Sequence, residues 1–144
     1  MRAARKRRVF LDTNVLFSGL RTPGGNPRRI LQRATEGMVQ AVVSPLVLVE
    51  LARNLRRKEP YLMRDLEQFL TSTTLDVAPE APDEEIARWR DAGLGTDAPI
   101  VAAAVLAEVD YLCTGDQRLL NRASLLLGAG LRVVSPGDLV EALP

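Results

Sequence analysis

The chain has 144 residues, of which 47% are hydrophobic and 26% are charged, as in one ordinary globular domain. It contains no histidine and one cysteine, Cys113. These counts exclude triads that use histidine, zinc sites built on histidine and cysteine, and an internal disulfide. Catalysis must therefore come from carboxylates, hydroxyls, Lys, Arg or a metal held by oxygens. The lone thiol favours a cytoplasmic setting, and no run approaches the roughly 18 apolar residues of a membrane span.

The net charge of +1 hides a basic N-terminus. Five of the 19 Lys and Arg residues lie in the first eight positions: Arg2, Arg5, Lys6, Arg7 and Arg8. We interpret residues 1–7 as a basic tail on a single domain that spans residues 1–144. Such a tail can contact phosphates, and a solvated start to the chain is the equal alternative. It is not a signal peptide, because Asp12 and Asn14 interrupt the apolar run behind it.

In the first part of the chain, short β-branched runs alternate with segments of helical periodicity. We predict strands over residues 8–11, 41–43 and 75–77. We predict helices from Asn14, over 27–37, from Pro45 (after the cap residue Ser44) to about Arg57, over 60–71, and after the cap residue Asp83.

The rest of the chain continues this alternation. A helix from Asp97 to about Glu108 is predicted after two glycines, and a second helix over 118–126. Strands are predicted over 111–113 and 131–134, and Ser135-Pro136 begins the final helix. Such alternation favours an α/β fold, with helices on both faces of a parallel sheet.

Four acidic residues stand at informative places in this pattern. Asp12 follows the first strand, and Asp116 follows the fourth in a Thr-Gly-Asp turn. Glu50 lies on the apolar side of the helix after the second strand, and Asp97 begins another apolar helix. In an open parallel sheet, the carboxyl ends of the strands form the edge that binds ligands. We therefore expect the four carboxylates to converge there.

Each acid also has a simpler interpretation. Asp12 and Asp97 can each cap the helix that follows, and Asp116 is a common turn residue. Glu50 can form a weak surface ion pair with Arg53, three residues further on. The four together are harder to explain in this way. Convergent carboxylates repel one another, and Mg²⁺ or Mn²⁺ relieves that repulsion while keeping waters for chemistry.

The same residues resemble the PIN-domain nucleases. The resemblance spans about residues 8–140, and four motifs in the right order carry it. They are Asp-Thr-Asn-Val-Leu at 12–16, Glu50 after Val-Val-Ser-Pro, Asp-Ala-Pro-Ile-Val-Ala-Ala-Ala at 97–104, and Asp-Tyr-Leu-Cys-Thr-Gly-Asp at 110–116. Residues 18–27 are similar to the branch of the family regarded as toxins of toxin–antitoxin systems.

The resemblance implies a three-layer α/β/α sandwich with a five-stranded parallel sheet of order 3-2-1-4-5. It implies Mg²⁺- or Mn²⁺-dependent hydrolysis of single-stranded RNA, which leaves a 5′-phosphate and a 3′-hydroxyl. It also implies a cognate antitoxin and a homodimer. By this resemblance the catalytic and metal-binding acids are Asp12, Glu50, Asp97 and Asp116, supported by Asn14 and Thr114.

The chain departs from the family pattern at two places. Position 118, where related sequences often have an acid, is Arg118, and residues 93–96 replace a run of aspartates. The alternative function is therefore a PIN-like module that binds RNA or protein with weak catalysis. Two other phosphate-handling classes fit poorly. A receiver domain needs a lysine late in the chain, where none occurs. A haloacid-dehalogenase phosphatase needs an aspartate two residues after the first, at position 14, where this chain has Asn14.

RNA would be held by its phosphate backbone, because aromatic residues for base stacking make up only 4% of the chain. A solvated helix face is the alternative for each basic side chain. Besides the N-terminal tail, the candidates are Arg21, Arg28, Arg29, Arg53, Arg56 and Arg57.

Overall fold

Five parallel strands form the centre of the computed structural model, which describes residues 5–143. The strands are β1 (Arg8–Leu11), β2 (Gln40–Val43), β3 (Asp76–Val77), β4 (Tyr111–Cys113) and β5 (Val133–Val134). Their order is β3-β2-β1-β4-β5. The expected five-stranded parallel sheet of order 3-2-1-4-5 is thereby confirmed.

Helices connect and cover these strands. In the described part of the chain they are α1 (Thr13–Arg21), α2 (Asn26–Thr35), α3 (Pro45–Lys58), α4 (Met63–Ser72), α5 (Asp83–Trp89), α6 (Ala98–Leu106), α7 (Gln117–Leu120), α8 (Ala123–Gly128) and α9 (Pro136–Ala142). Short 3-10 turns at Pro60–Leu62 and Gly95–Asp97 precede α4 and α6. Within residues 5–143, every helix is too short or too polar to cross a lipid bilayer.

The core lies on both faces of β1, the central strand. Val9, Phe10 and Leu11 are fully buried, as expected for a strand covered by helices on both sides. In the register of the sheet, Leu11 is paired with Cys113 of β4. The residues that directly follow β1 and β4 therefore emerge side by side at one edge of the sheet.

Local sequence signals explain where several helices begin. The Ser44 side chain accepts a hydrogen bond from the backbone N–H of Val47 at 3.4 Å, and Pro45 occupies the first turn of α3. Ser135 caps α9 in the same way, accepting from the N–H of Asp138 at 3.1 Å. Both caps agree with the prediction from sequence.

Several predicted boundaries are wrong. Asp83 is the first residue of α5 rather than its cap, which is Pro82. The helix predicted over 118–126 is two helices, α7 and α8, with a break at Arg122. There the guanidinium donates to the carbonyls of Ala92 at 2.8 Å and Gly93 at 3.2 Å, a long-range contact that local periodicity does not reveal.

Candidate functional site

A cavity of about 370 Å³ opens at the carboxyl edge of the sheet, beside the ends of β1 and β4. Asp12, Glu50, Asp97 and Asp116 all line it. These are the four acids that the sequence singled out, and they come from four separate segments of the chain. The fold therefore gathers them as the sequence led us to expect.

Asp12 is the most buried of the four, with 5% of its surface exposed. One of its oxygens, Oδ1, accepts a hydrogen bond from the N–H of Thr13 at 2.8 Å, so it does cap α1. The other oxygen, Oδ2, accepts from the Thr114 hydroxyl at 2.8 Å and from the Asn14 amide at 3.3 Å. The helix cap and the site acid are thus the same side chain.

Thr114 and Asn14 join the ends of β1 and β4. The buried Thr114 hydroxyl donates to Asp12 and accepts from the backbone N–H of Asp116 at 3.0 Å. The Asn14 side chain accepts from the N–H of Gly115 at 2.7 Å and donates to Thr114 at 3.4 Å. Both residues predicted to support the acids are therefore in direct contact with the segments that carry them.

Glu50 lies in the middle of α3 and is half-buried. Its Oε2 accepts a hydrogen bond from the Thr13 hydroxyl at 3.2 Å. Among the described residues it forms no ion pair with Arg53, the alternative considered from sequence. The contact with Thr13 instead ties α3 to the start of α1.

Asp97 follows a loop whose backbone conformation depends on glycines. Gly93 and Gly95 have φ angles of 92° and 55°, in the left-handed region that other residues rarely adopt. Asp97 then occupies the cap position of α6, but its side chain accepts no capping hydrogen bond there. The carboxylate lines the cavity instead, so the simpler interpretation of Asp97 as a capping side chain is wrong.

Asp116 caps α7, and its Oδ1 accepts a hydrogen bond from the N–H of Arg118 at 2.9 Å. The Arg118 guanidinium nitrogen Nε lies 3.7 Å from the same oxygen. A cation therefore stands beside the acids at the position where the family pattern often has another acid.

The carboxylates that line the cavity repel one another, and this repulsion contributes to the raised pKa values of Asp12 and Asp97. Burial raises the pKa of Asp12 above its ordinary value, and the charges of Asp97 and Glu50 add to this effect. Hydrogen bonds from Thr114 and Thr13 oppose the increase in part. Burial also raises the pKa of Asp97, together with the charges of Asp116 and Glu50, while Arg118 acts in the opposite direction.

This oxygen-only set of donors fits a hard divalent cation such as Mg²⁺ or Mn²⁺, which would relieve the repulsion. Within residues 5–143, however, no three acidic or cysteine side chains already stand close enough together to hold an ion as a group. The carboxylates line one cavity without forming a closed cage.

The arginines proposed from sequence do not line this cavity. Arg28 donates to the carbonyls of Gly19 and, at 3.0 Å, Leu20, so it stabilises the end of α1. Arg21 pairs with Glu59 at 3.2 Å. Arg29 donates to Asn26 at 3.1 Å, whereas three others lie exposed on α3: Arg53, Arg56 and Arg57.

The basic N-terminal residues lie at the opposite edge of the sheet from the acids. Arg5 pairs with Asp110 at 2.8 Å, and Arg8 pairs with Asp76 at 2.8 Å. Burial favours a higher pKa for Asp110, but hydrogen bonds from Arg5 and from the N–H of Arg8 outweigh it and lower the pKa. Arg2 lies outside the described residues. The described part of the tail therefore does not reach the cavity.

Sequence reasoning missed two polar residues of α3 that do line the cavity, Asn54 and Lys58. They follow Glu50 by one and two helical turns, so the spacing of four residues was an available signal. It also missed Phe17 of α1, whose ring centre lies 5.8 Å from the Lys58 ammonium.

The chain is similar in sequence to one protein family and in fold to two solved structures. The family model for the PIN domain matches residues 8–118. Two solved structures share the fold: VapBC2 from Rickettsia felis bound to a DNA fragment from their promoter, and FitAB bound to the IR36 DNA fragment. The first has a TM-score of 0.63 at 16% identity, covering 89% of this chain and 98% of that chain. The second has a TM-score of 0.54 at 17% identity, covering 89% and 94%. No curated protein matches in sequence.

Proposed function

Because the chain belongs to the PIN domain family, we propose that it is a metal-dependent endoribonuclease that hydrolyses single-stranded RNA. The observation that carries this proposal is the cavity in which four carboxylates from four segments meet. Such crowding is costly in a protein that only binds a polyanion, because carboxylates repel phosphate. It is useful in a protein that binds a cation and a phosphate together.

In this proposal Asp12, Glu50, Asp97 and Asp116 would hold Mg²⁺ or Mn²⁺. The bound ion would lower the pKa of a water molecule and offset the charge that develops on the phosphate. Water is the proposed nucleophile, because the chain has no histidine to activate the RNA 2′-hydroxyl. Its attack breaks the bond from phosphorus to the 3′ oxygen, which leaves a 5′-phosphate and a 3′-hydroxyl.

The neighbouring polar residues would keep the acids in place for this reaction. Thr114 and Asn14 both donate to Oδ2 of Asp12, which fixes the direction of that carboxylate. Thr13 donates to Oε2 of Glu50, which orients that carboxylate beside the start of α1. These contacts supply orientation, which contributes to catalysis when it exists before the substrate binds.

The test is cleavage of labelled single-stranded RNA by purified protein with Mn²⁺, with Mg²⁺ and with a chelator. We expect cleavage with metal only, and its loss in the Asp12→Asn/Asp116→Asn double variant. Asp65→Asn, which removes an exposed carboxylate from α4, should cleave like the wild type. Absence of cleavage in a folded protein free of any copurified inhibitor would overturn the proposal.

A second candidate is an RNA- or protein-binding module with little or no turnover. Arg118 favours it, because its guanidinium pairs with Asp116 where a metal would need that carboxylate. In this case the protein would bind RNA but would not cleave it in the presence of either Mn²⁺ or Mg²⁺. Thermal unfolding separates the two, since only the nuclease should gain stability from Mn²⁺ or Mg²⁺ through the four acids.

We also propose that the chain is the toxin of a toxin–antitoxin pair and forms a homodimer. The family match and the toxin-like sequence of residues 18–27 support this proposal. The fold likeness to VapBC2 and FitAB, both bound to DNA, is compatible with it. Light scattering of the purified protein measures the dimer, and growth arrest that a neighbouring gene product relieves would establish the pair.

A further inference from the structure

Lys58, the last residue of α3, brings a positive charge to the acid cavity. Glu50, Asn54 and Lys58 are each four residues apart and line the same cavity, so they share one face of the helix. At a rise of about 1.5 Å per residue, Lys58 stands roughly 12 Å along the helix axis from Glu50. Lys58 therefore stands further along the cavity than Glu50, where it can contact a neighbouring part of a bound strand.

The Lys58 ammonium contacts an aromatic ring and forms no ion pair with the carboxylates of residues 5–143. It lies 5.8 Å from the centre of the Phe17 ring, a distance at which a cation is attracted to an aromatic face. No carboxylate of residues 5–143 lies within 4 Å of it. The aromatic ring attracts the ammonium without neutralising it, so the charge stays available to an anion.

Arg118 provides a second cation beside the acids. A cavity of about 390 Å³ adjoins the acid cavity, and both are lined by Thr96 and Asp97, so the two form one groove. Arg118 lines this second part, and 82% of its side chain is exposed. The nearby Arg122 is instead committed to the carbonyls of Ala92 and Gly93.

We propose that Lys58 and Arg118 bind the phosphates that flank the cleaved bond, so that a single RNA strand crosses the acids between α3 and α7. This inference rests on the proposed nuclease function. Carboxylates repel a phosphate backbone, and a strand lies across them only where cations hold it nearby. When Arg118 engages a phosphate, it also releases Asp116 from their contact at 3.7 Å and leaves that carboxylate free for a metal.

The test measures binding of fluorescein-labelled oligouridylate by anisotropy, with a chelator present to prevent turnover. Losing one phosphate contact should reduce the slope of log affinity against log salt by about 0.7, which is roughly fivefold in affinity at 0.1 M salt. We expect this change in Lys58→Gln and in Arg118→Gln, and twice the slope change in the double variant. Lys58→Arg should restore the slope, because it keeps the charge.

Arg64→Gln is the matched control, since it removes one exposed positive charge from α4, outside both cavities. It should keep the slope of the wild type. Equal slopes in the wild type, Lys58→Gln and Arg118→Gln would overturn the inference. An equal loss in Arg64→Gln would overturn it too, because the effect would then be one of overall charge.

Cleavage assays on the same variants separate this inference from the nuclease proposal. In Mn²⁺, Lys58→Gln should raise KM for RNA about fivefold and change kcat less, because a flanking contact mainly holds substrate. If the wild type cleaves RNA and the slopes do not change, the nuclease stands and the two binding residues are wrong. If the slopes change and no metal supports cleavage, the binding residues stand and the nuclease is wrong.

Discussion

At the scale of single residues, Thr114 holds the acid cavity together. Its hydroxyl has one hydrogen to donate and two lone pairs to accept with, and the structure uses all three. It donates to Asp12 and accepts from the N–H of Asp116 and the amide of Asn14. Because the residue is fully buried, water cannot replace a lost partner.

Replacement of Thr114 by valine should destabilise the protein by about 1–3 kcal/mol, because it leaves buried polar groups without partners. Urea denaturation measures this loss. Thr114→Ser keeps the hydroxyl and should recover most of the stability. A valine variant as stable as the wild type would show that the hydroxyl does not fix the two strand ends.

The raised pKa of Asp97 gives a stability that depends on pH. A carboxyl whose pKa is higher in the folded than in the unfolded chain favours the fold below its unfolded pKa of 3.8, and that contribution disappears as pH rises through the folded pKa. The amide of Asp97→Asn stays uncharged at every pH, so it avoids the cost of a charged carboxylate in the fold. In a chelator the variant should therefore melt about 1–2 °C above the wild type at pH 7, since solvent screening limits the effect.

This advantage of Asp97→Asn should shrink as pH falls towards 4, where the wild-type carboxyl takes up a proton. Thermal melts across this range measure it. Asp65→Asn, at an exposed position in the first turn of α4, should show no such gain. A gain for Asp97→Asn that is constant with pH would mean that repulsion among the acids is not its cause.

At the scale of elements, the loop before α6 decides where Asp97 lies. Gly95 has φ 55° and ψ −127°, a conformation that residues other than glycine adopt only with strain. A Cβ atom at this position would meet nothing within 4 Å, so the backbone alone would resist substitution. The loop that replaces the acidic run of related sequences is thus built around glycine.

Gly95→Ala should therefore cost about 1–3 kcal/mol in stability and displace Asp97 from the cavity. Gly128→Ala is its control, because Gly128 lies in α8 without a positive φ and has open space around it. That substitution should be neutral or stabilise by up to about 1 kcal/mol. Denaturation curves compare them, and equal effects of the two alanines would contradict the strain at Gly95.

At the scale of the whole molecule, four segments that are distant in sequence meet at the acid cavity. The parallel α/β architecture could be predicted from the alternation of strands and helices, and the order of the sheet was implied by the resemblance to PIN-domain nucleases. The convergence of the four acids on one cavity could be predicted from their places after the strands and on the helices. The contacts of Arg28 could not be predicted, because the carbonyls to which it donates lie at the end of another helix. The break at Arg122 depends in the same way on a loop 30 residues away.

Since these segments meet at one place, a cation bound there should stabilise the entire fold. Mn²⁺ at about 100 times its Kd would add roughly 2.7 kcal/mol, which for a domain of this size is about 8 °C in Tm. The Asp12→Asn/Asp116→Asn double variant should lose this gain, and Asp65→Asn should keep it. Differential scanning calorimetry decides between them, and an equal gain in all three proteins would place the ion elsewhere.

The first and last described residues lie together at the edge of the sheet opposite the acid cavity. Arg5, Lys6 and Arg7 line a cavity there together with Ala142 and Leu143, so the first and last described residues are neighbours. They lie at the amino-terminal edge of β1, whereas the acids follow its carboxyl end. A protein attached to a sensor surface through residues of this far cavity would therefore keep its acid cavity towards the liquid.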